Sequence, residues 1–309
     1  MKKVAFIFPG QGSQAVGMGR DFFENSDIAK GMIKKASERL NINFEKLLFD
    51  ENENLGKTEF TQPAILLVSS IALAIFKEKC SIQPEFVLGH SLGEFSALIA
   101  AGAIDYLDAI ELVNKRGTFM QEACSGAGAG MMALVGIDDE KVETICKEQR
   151  EKGLKVWPAN YNMDGQLVLA GLKADLESLV DTFKTAGAKR ALVLDMSVAS
   201  HCELLESAVE NLKPYLIEFL NEEFSNVISN VSASNYSTKD EAVELLASQL
   251  VKPVKYKQSI KAFEDKVDLF IEFGQGAVLK GLNKKITDKP TLNISDIKTL
   301  NETLEALND

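Results

Sequence analysis

The sequence is poor in the residues that build metal centres, disulfide frameworks and imidazole sites. Its 309 residues include four cysteines and two histidines. The cysteines are widely spaced and form no CxxC pair, so the sequence predicts neither a disulfide framework nor a zinc site. Because the chain has only two histidines, any imidazole chemistry must use His90 or His201.

Positive charge and long apolar runs are also scarce. Lys and Arg number 34 against 45 Asp and Glu, giving a formal net charge of -11, whereas nucleic-acid-binding proteins usually carry a basic domain. The N-terminal apolar run, residues 4–8, is too short for the core of a signal peptide. The longest run, residues 64–76, contains two serines and is shorter than the roughly 20 residues of a membrane span. These features predict a cytoplasmic protein without a membrane or nucleic-acid partner.

What is present is an alternation of strand and helix patterns. Short apolar runs at residues 4–8 and 85–89 predict buried parallel strands. Apolar residues at helical spacing predict helices over residues 21–40, 62–79, 94–101 and 106–122. The alternation predicts an α/β fold with a mainly parallel sheet.

The pattern changes at residues 125–130, where Ser-Gly-Ala-Gly-Ala-Gly is typical of a flexible linker. The next predicted elements are strands at 131–135, 156–160, 166–170 and 191–194 and helices at 139–150 and 174–186. Their order is βαββαβ, the ferredoxin-like split unit. We therefore expect a small ferredoxin-like domain, 125–197, inserted into a large α/β domain formed by 1–124 and 198–309. The large domain is predicted to continue with a helix at 203–220, strands near 227–231 and 269–273, and helices at 241–250 and after Asp296.

The most specific motif is Gly89-His90-Ser91-Leu92-Gly93, a G-x-S-x-G sequence between a predicted strand and a predicted helix. This is the context of a nucleophile elbow, whose strained turn requires small residues two positions either side of the serine. Such a turn exposes the Ser91 hydroxyl, and the backbone N–H of Leu92 and the helix N-terminus face a developing oxyanion. The alternative is a glycine-rich turn with no catalytic meaning.

A serine nucleophile needs a general base, and two histidines are available. His90 adjoins Ser91, but neighbouring side chains on a strand-to-turn segment point apart, so we expect His90 to pack against the elbow and support it. His201 lies in the loop Val198-Ala199-Ser200-His201-Cys202 and is the candidate base by elimination. No Asp or Glu stands out as a third member, which favours a Ser–His dyad oriented by a backbone carbonyl.

A second glycine motif, Gly10-Gln11-Gly12-Ser13-Gln14-Ala15, follows the first predicted strand. It fits the dinucleotide pattern G-x-G-x-x-A, which also requires a second strand ending in an acidic residue about 20 residues later. Residues 26–40 have a helical pattern instead. The favoured alternative is that this loop lies beside the elbow and lends a backbone N–H to the oxyanion hole.

Arg116, in Val113-Asn114-Lys115-Arg116-Gly117, is the third candidate for the site. An arginine on a helix is ordinarily solvated, and this interpretation is favoured while the residue is taken alone. A guanidinium also binds a carboxylate through two parallel hydrogen bonds. Arg116 therefore gains a role in the site if the substrate has a free carboxylate.

Taken together, these residues resemble the malonyl-CoA:acyl carrier protein transacylase family, in order and over nearly the whole chain. The matching segments are Phe8-Pro9-Gly10-Gln11-Gly12-Ser13-Gln14, Gly89-His90-Ser91-Leu92-Gly93-Glu94, Arg116-Gly117, Asn160-Tyr161-Asn162 with Gln166, Ser200-His201, Gln249-Leu250 with Pro253-Val254, and Gly281-Leu282-Asn283. The resemblance implies an α/β-hydrolase-like core with a mainly parallel sheet and an inserted ferredoxin-like small domain.

The resemblance also implies a ping-pong acyl transfer that supplies fatty-acid synthesis, with no metal and no permanently bound cofactor. Ser91, activated by His201, would take malonyl from malonyl-CoA, and the phosphopantetheine thiol of acyl carrier protein would then remove it. The backbone N–H groups of Gln11 and Leu92 would hold the oxyanion. Arg116 would pair with the malonyl carboxylate.

Three further positions follow from the resemblance. The Gln249 backbone carbonyl would orient His201, and Asn160 and Asn162 would bind substrate in the cleft between the subdomains. The family often has proline where this chain has Ala199, and related polyketide acyltransferases vary this tetrapeptide with the extender unit. A substituted malonyl group and a polyketide carrier therefore stay open.

Two other classes of function also stay open: a serine hydrolase with the same elbow, either a patatin-like lipase or a thioesterase, and a non-catalytic docking subunit. Docking of an acidic carrier to a chain this acidic requires a local basic patch. The candidate docking residues are Lys189, Arg190, Lys284 and Lys285. The alternative for either pair is ordinary solvated surface.

Overall fold

The computed structural model describes residues 2–196 and 198–308 of the chain. Ser197, at which the sequence analysis ends the small domain, lies outside the described residues. The strands are β1 (Val4–Phe8), β2 (Phe86–Gly89), β3 (Ala129–Val135), β4 (Val156–Met163), β5 (Gln166–Leu172), β6 (Arg190–Val193), β7 (Glu223–Ile228), β8 (Asn235–Thr238), β9 (Leu269–Phe273) and β10 (Thr291–Ile294). The helices are α1 (Arg20–Asn25), α2 (Asp27–Leu40), α3 (Phe44–Phe49), α4 (Thr58–Lys79), α5 (Gly93–Ala101), α6 (Tyr106–Cys124), α7 (Asp139–Glu151), α8 (Lys173–Ser178), α9 (Val180–Thr185), α10 (Glu206–Phe219), α11 (Lys239–Gln249), α12 (Tyr256–Phe263), α13 (Val278–Ile286) and α14 (Ile297–Asn308).

Six strands form the larger sheet, in the order β10-β9-β1-β2-β7-β8. The pairings from β10 to β7 are parallel, and β8 runs antiparallel to β7 at the edge. Every residue of β1, β2 and β9 is buried, as expected for central parallel strands covered by helices on both faces. Because β1, β2 and β7 are adjacent and parallel, the loops that follow their carboxyl ends lie side by side.

The helix α4 is the most apolar of the long helices that pack with the larger sheet. Within the described residues it is the one helix long and apolar enough to cross a membrane by length and composition. Of its most apolar 18-residue window, 83% is buried inside the protein, where α4 packs against α6 and α2. That burial is typical of the central helix of a folded core.

Four strands form the smaller sheet, in the order β4-β5-β3-β6, and each pairing is antiparallel. With α7 after β3 and α8 and α9 after β5, the chain order is the predicted βαββαβ. The sheet and its helices enclose a hydrophobic cluster separate from the core of the larger sheet. The predicted fold class is confirmed: an α/β chain with a parallel-rich sheet and a second, small antiparallel sheet. The division into domains stays a prediction.

The elements differ from the sequence prediction in three respects. The predicted linker, residues 125–130, includes the start of β3, because Ala129 and Gly130 pair with Leu172 and Gly171 in the ladder. Two predicted helices are each divided, into α1 with α2 and into α8 with α9. Five further elements of nine residues or fewer were not predicted from the sequence: β8, β10, α3, α12 and α13. Segments this short show too few periods for a clear pattern.

Candidate active site

Ser91 lies in a sharp turn between β2 and α5. Its φ is 53°, in the left-handed region that residues other than glycine rarely adopt. A Cβ atom on Gly89 would lie 1.9 Å from the carbonyl carbon of Gly93, and a Cβ atom on Gly93 would lie 2.0 Å from the Phe8 carbonyl oxygen. The turn therefore requires glycine at both positions, and this is the geometry of a nucleophile elbow.

His201 contacts the Ser91 hydroxyl. Ser91 Oγ lies 2.7 Å from His201 Nε2, and His201 Nδ1 lies 2.7 Å from the backbone oxygen of Gln249. Because a carbonyl oxygen only accepts, Nδ1 carries the hydrogen and Nε2 is left to accept the serine proton. Burial, together with the charge of Arg116, lowers the pKa of His201 to about 3. The imidazole is therefore neutral near pH 7.

His90 has different contacts. Its Nε2 lies 2.8 Å from Asn162 Oδ1, and its ring centre lies 5.6 Å from that of Tyr256. A Cβ atom on Gly10 would lie 2.2 Å from the His90 carbonyl oxygen, so the loop after β1 packs directly on the elbow. His90 thus links the elbow to β4 of the smaller sheet, a supporting position rather than that of a base.

Two backbone N–H groups at the elbow, those of Gln11 and Leu92, have no hydrogen-bond partner among residues 2–196 and 198–308. The neighbouring Ser91 N–H, by contrast, donates to Asn230 Oδ1 at 2.7 Å. Gln11 and Leu92 are therefore available as donors to an oxyanion. From the loop that carries Gln11 the chain continues into α1 and α2, and not into the second strand that a dinucleotide fingerprint requires.

Arg116 is 1% exposed, so its interpretation as a solvated arginine is wrong. Its Nη1 donates to Gln62 Oε1 at 2.8 Å, and its Nη2 donates to Gln249 Oε1 at 3.0 Å. The same Nη2 lies 3.4 Å from Ser91 Oγ. Burial lowers the pKa of Arg116 to about 10, which leaves the guanidinium charged near pH 7. A fixed cation thus lies directly behind the candidate nucleophile.

These groups border a cleft of about 1120 Å³ between the two sheets. Its lining from the larger sheet and its helices includes Gln11, Ser91, His201, Leu279 and Leu282. Its lining from the smaller sheet includes Met131, Asn160, Asn162, Gln166 and Val168. The structure therefore brings all the residues predicted for the site to one cleft or directly behind it.

Burial keeps two of the thiols in their unreactive, protonated form. All four cysteines are free, and burial raises the pKa of Cys146 and of Cys202 to about 12. Both are thus protonated near neutral pH. Residues 2–196 and 198–308 contain no group of three or more His, Cys, Asp or Glu side chains that could hold a metal ion.

Comparison with known proteins agrees with this geometry. Residues 5–300 match the acyl transferase domain family. The chain is 40% identical over 313 residues to the malonyl CoA-acyl carrier protein transacylase of Bacillus subtilis strain 168, covering 100% of this chain and 98% of that protein. The chain belongs to the malonyl-CoA:acyl carrier protein transacylase family.

Solved transacylase structures have the same fold. The crystal structure of the malonyl-CoA:acyl carrier protein transacylase from Helicobacter pylori gives a TM-score of 0.96 at 43% identity, covering 100% of this chain and 99% of that one. A malonyl-transacylase in complex with a type II polyketide acyl carrier protein gives a TM-score of 0.94 at 36% identity, covering 98% and 99%.

Behind the elbow of this transacylase fold lies a buried network that the sequence analysis missed. Glu94 Oε2 accepts from Gln249 Nε2 at 2.7 Å and from the Asn230 N–H at 3.1 Å, and Glu94 Oε1 accepts from the Tyr236 hydroxyl at 2.9 Å. Burial raises the pKa of Glu94 to about 7. Two signals were available: Glu94 is the one charged residue of the apolar helix α5, and Asn230 closely follows the carboxyl end of β7.

The four predicted docking residues are exposed. Arg190 is the first residue of β6 and Lys189 directly precedes it, and Lys284 and Lys285 lie in the last turn of α13. None of the four lines the cleft. The first half of α13, however, contributes Val278, Leu279 and Leu282 to the cleft lining, so in this transacylase fold the second pair shares a helix with the cleft wall.

Proposed function

We propose that this chain transfers a malonyl group from malonyl-CoA to the phosphopantetheine thiol of acyl carrier protein. The observation that carries the proposal is the buried guanidinium of Arg116, 3.4 Å from the hydroxyl of the elbow serine. An acyl group on Ser91 that ends in a carboxylate can pair with this cation, whereas a neutral acyl group cannot. The names of the relatives and the solved complex with a carrier protein support the same reaction.

In the first half-reaction Ser91 Oγ attacks the thioester carbonyl of malonyl-CoA while its proton passes to His201 Nε2. The tetrahedral oxyanion lies between the N–H groups of Gln11 and Leu92, each contributing about 3 kcal/mol. The carbon–sulfur bond then breaks, and the CoA sulfur leaves with the proton from His201. The product is a malonyl ester on Ser91 with a neutral histidine.

The second half-reaction reverses these roles. His201 takes the proton of the phosphopantetheine thiol, and the thiolate sulfur attacks the ester carbonyl of malonyl-Ser91. When the intermediate collapses, Ser91 Oγ leaves and recovers the proton from His201. The Nδ1–H bond to the Gln249 carbonyl keeps the imidazole in the required tautomer throughout.

A serine hydrolase with the same elbow is the less favoured alternative. A buried guanidinium beside the nucleophile can pair with an acyl group that has a free carboxylate. A neutral acyl group makes no such pair, and the free-energy cost of burying the cation is then not offset. The carrier is proposed to serve fatty-acid synthesis. The solved complex contains a type II polyketide carrier, so a polyketide carrier is the second candidate acceptor.

For docking of the acidic carrier we propose Lys284 and Lys285, because α13 also borders the cleft that the phosphopantetheine arm must enter. Lys189 and Arg190 are a second candidate pair. Asn160 and Asn162 are proposed to bind substrate on the opposite wall of the cleft. We further propose that the chain acts in the cytoplasm and holds no permanent cofactor.

Intact-mass analysis tests the function. Incubation with malonyl-CoA should give a malonyl adduct, which holo acyl carrier protein then discharges to yield malonyl-carrier. Ser91→Ala should give no adduct, and an adduct on this variant would contradict the serine assignment. Parallel incubations with methylmalonyl-CoA and acetyl-CoA measure acyl preference. Release of free malonate in place of carrier transfer would favour the hydrolase.

A further inference from the structure

Behind Ser91 a chain of buried hydrogen bonds joins two opposite charges through one amide. Arg116 Nη2 donates to Gln249 Oε1 at 3.0 Å, and Gln249 Nε2 donates to Glu94 Oε2 at 2.7 Å. All three residues are at most 1% exposed. The backbone oxygen of the same Gln249 holds His201, so Glu94, Arg116 and the candidate base meet at one residue.

Within residues 2–196 and 198–308, the groups that shift the pKa of Glu94 include one cation, Arg116. The charge of Arg116, on α6, acts on the Glu94 carboxylate. The Tyr236 hydroxyl, on β8, and the Asn230 N–H, in the loop after β7, donate hydrogen bonds to it. The salt bridges of residues 2–196 and 198–308 include none at Glu94. Above about pH 7 Glu94 is ionised, and its negative charge interacts with the positive charge of Arg116.

A malonyl group on Ser91 changes this balance, because it brings a second carboxylate to the same buried guanidinium. Two anions near one cation in a region of low dielectric repel each other strongly, and one of them becomes neutral. The malonyl carboxylate contacts Arg116 directly and keeps its charge. Burial already raises the pKa of Glu94 to about 7, and a nearby anion raises it further, so Glu94 is the group that gains a proton.

We infer that Glu94 makes acyl selectivity depend on pH: it shares the charge of Arg116 through Gln249 and takes up one proton from solvent when a malonyl group occupies Ser91. This inference rests on the proposed malonyl transfer. Glu94 touches neither substrate nor the reacting atoms, so it is a positioning residue. Malonyl loading therefore weakens as pH rises and the proton becomes harder to acquire, while acetyl loading, which adds no charge, does not require the proton.

The test measures initial rates of adduct formation on Ser91 from malonyl-CoA and from acetyl-CoA between pH 6.5 and pH 8.5, by intact mass. The ratio of the two rates cancels the proton transfer to His201, which both acyl groups share. In the unsubstituted protein the ratio should fall by about tenfold across this range, the order expected for one linked proton. In Glu94→Gln, which mimics the protonated acid, the ratio should be flat.

Glu272→Gln is the matched control. Glu272 is also fully buried and its pKa is also raised to about 7, but it accepts from the N–H groups of Leu279 and Lys280 at the start of α13. Its removal should leave the pH dependence of the ratio unchanged. An indicator dye in weak buffer should detect proton uptake on malonyl loading of the unsubstituted protein and of Glu272→Gln, and none for Glu94→Gln.

Tyr236→Phe keeps the test decisive if Glu94→Gln does not fold. Loss of the hydroxyl removes a donor to the ionised carboxylate, which raises the pKa of Glu94, so the fall in the ratio should move to higher pH. A ratio that is flat in the unsubstituted protein, or that keeps its slope in Glu94→Gln, overturns the inference. Absence of any malonyl adduct at Ser91 would instead contradict the proposed function.

Discussion

The wall of the cleft that the larger sheet forms holds its side chains through buried hydrogen bonds, whereas the wall from the smaller sheet is attached by a few contacts at its rim. On the first wall, Ser91, His201 and Arg116 each have a partner at 2.8 Å or less. On the second wall, the Asn162 side chain contacts His90 at 2.8 Å, and Asn160 Oδ1 is buried without a partner among the described residues.

The rim contacts of the second wall involve the segment that follows Gln249. The Val254 N–H donates to the Ala159 oxygen at 2.8 Å, and the Tyr161 N–H donates to the Val254 oxygen at 2.9 Å. Beside them Lys257 Nζ lies 2.5 Å from Asp139 and 3.0 Å from Asp164. We propose that the first wall supplies the reacting groups and the cation for the malonyl carboxylate, and that the second wall positions the rest of the substrate.

The largest expected effect comes from His201→Ala on the first wall. Loss of the base should lower kcat by at least about 10³-fold, with KM little changed, because the hydroxyl of Ser91 then has no proton acceptor. Steady-state malonyl transfer measures it, with circular dichroism as the control for folding. A loss of less than tenfold would contradict the dyad.

Arg116→Ala should have the second largest effect, and it should reduce the rate of malonyl loading more than the rate of acetyl loading. Malonyl loading should fall by about 100-fold more than acetyl loading, since a charged bidentate contact is lost only for malonyl. Arg116→Lys, which keeps the charge without the planar fork, should recover part of the loss. Equal loss for both acyl groups would remove the carboxylate role.

The same variant carries a pH prediction. The charge of Arg116 lowers the pKa of His201, so its removal raises that pKa and reduces the neutral, proton-accepting fraction at a given acidic pH. The acid limb of acetyl loading should therefore move to higher pH in Arg116→Ala. A pH–rate profile measures the shift, and an acid limb that is unchanged or moves lower would contradict it.

The smallest effect is expected at the rim, from Lys257→Met. Its side chain is 12% exposed and holds Asp139 of α7, so its loss should reduce the free energy of unfolding in urea by roughly 1–2 kcal/mol. KM for malonyl-CoA should rise about threefold, or about 0.7 kcal/mol, with kcat nearly unchanged. Lys261→Met is the control. Lys261 also pairs with Asp164 but is more exposed than Lys257, so its loss should reduce the free energy of unfolding by less. A fall in kcat at constant KM would show that the second wall also fixes reactivity.

A locally encoded motif predicted the elbow, whereas His201 followed by elimination and the role of the Gln249 carbonyl followed from the family resemblance. Five consecutive residues specify the elbow at Ser91, because glycine is required on both sides of one turn. The single charged residue of α5, Glu94, acts through Gln249, which lies 155 positions away in sequence. Local patterns do not contain such pairings, so the network behind the elbow required the tertiary structure.

The elements of the fold also differ in how far the sequence predicted them. Continuous apolar strands such as β1 and the alternation of strand with helix predicted the parallel-rich sheet and the smaller βαββαβ unit. The edge strands β8 and β10, of four residues each, pair with β7 and β9 and are too short to show a periodic signal of their own. The burial of Arg116 was not predicted, because polar residues precede and follow it in α6 and such a segment is typical of an exposed helix face.

The positive φ angles of the dyad have a thermodynamic consequence. Ser91 has a φ of 53° and His201 a φ of 61°, and a left-handed conformation costs a residue with a side chain about 1 kcal/mol relative to glycine. Both reactive positions are thus sites where the backbone would be more stable with a different residue. A redesign guided by thermal stability alone would choose glycine at both and would discard the proposed nucleophile together with its proposed base.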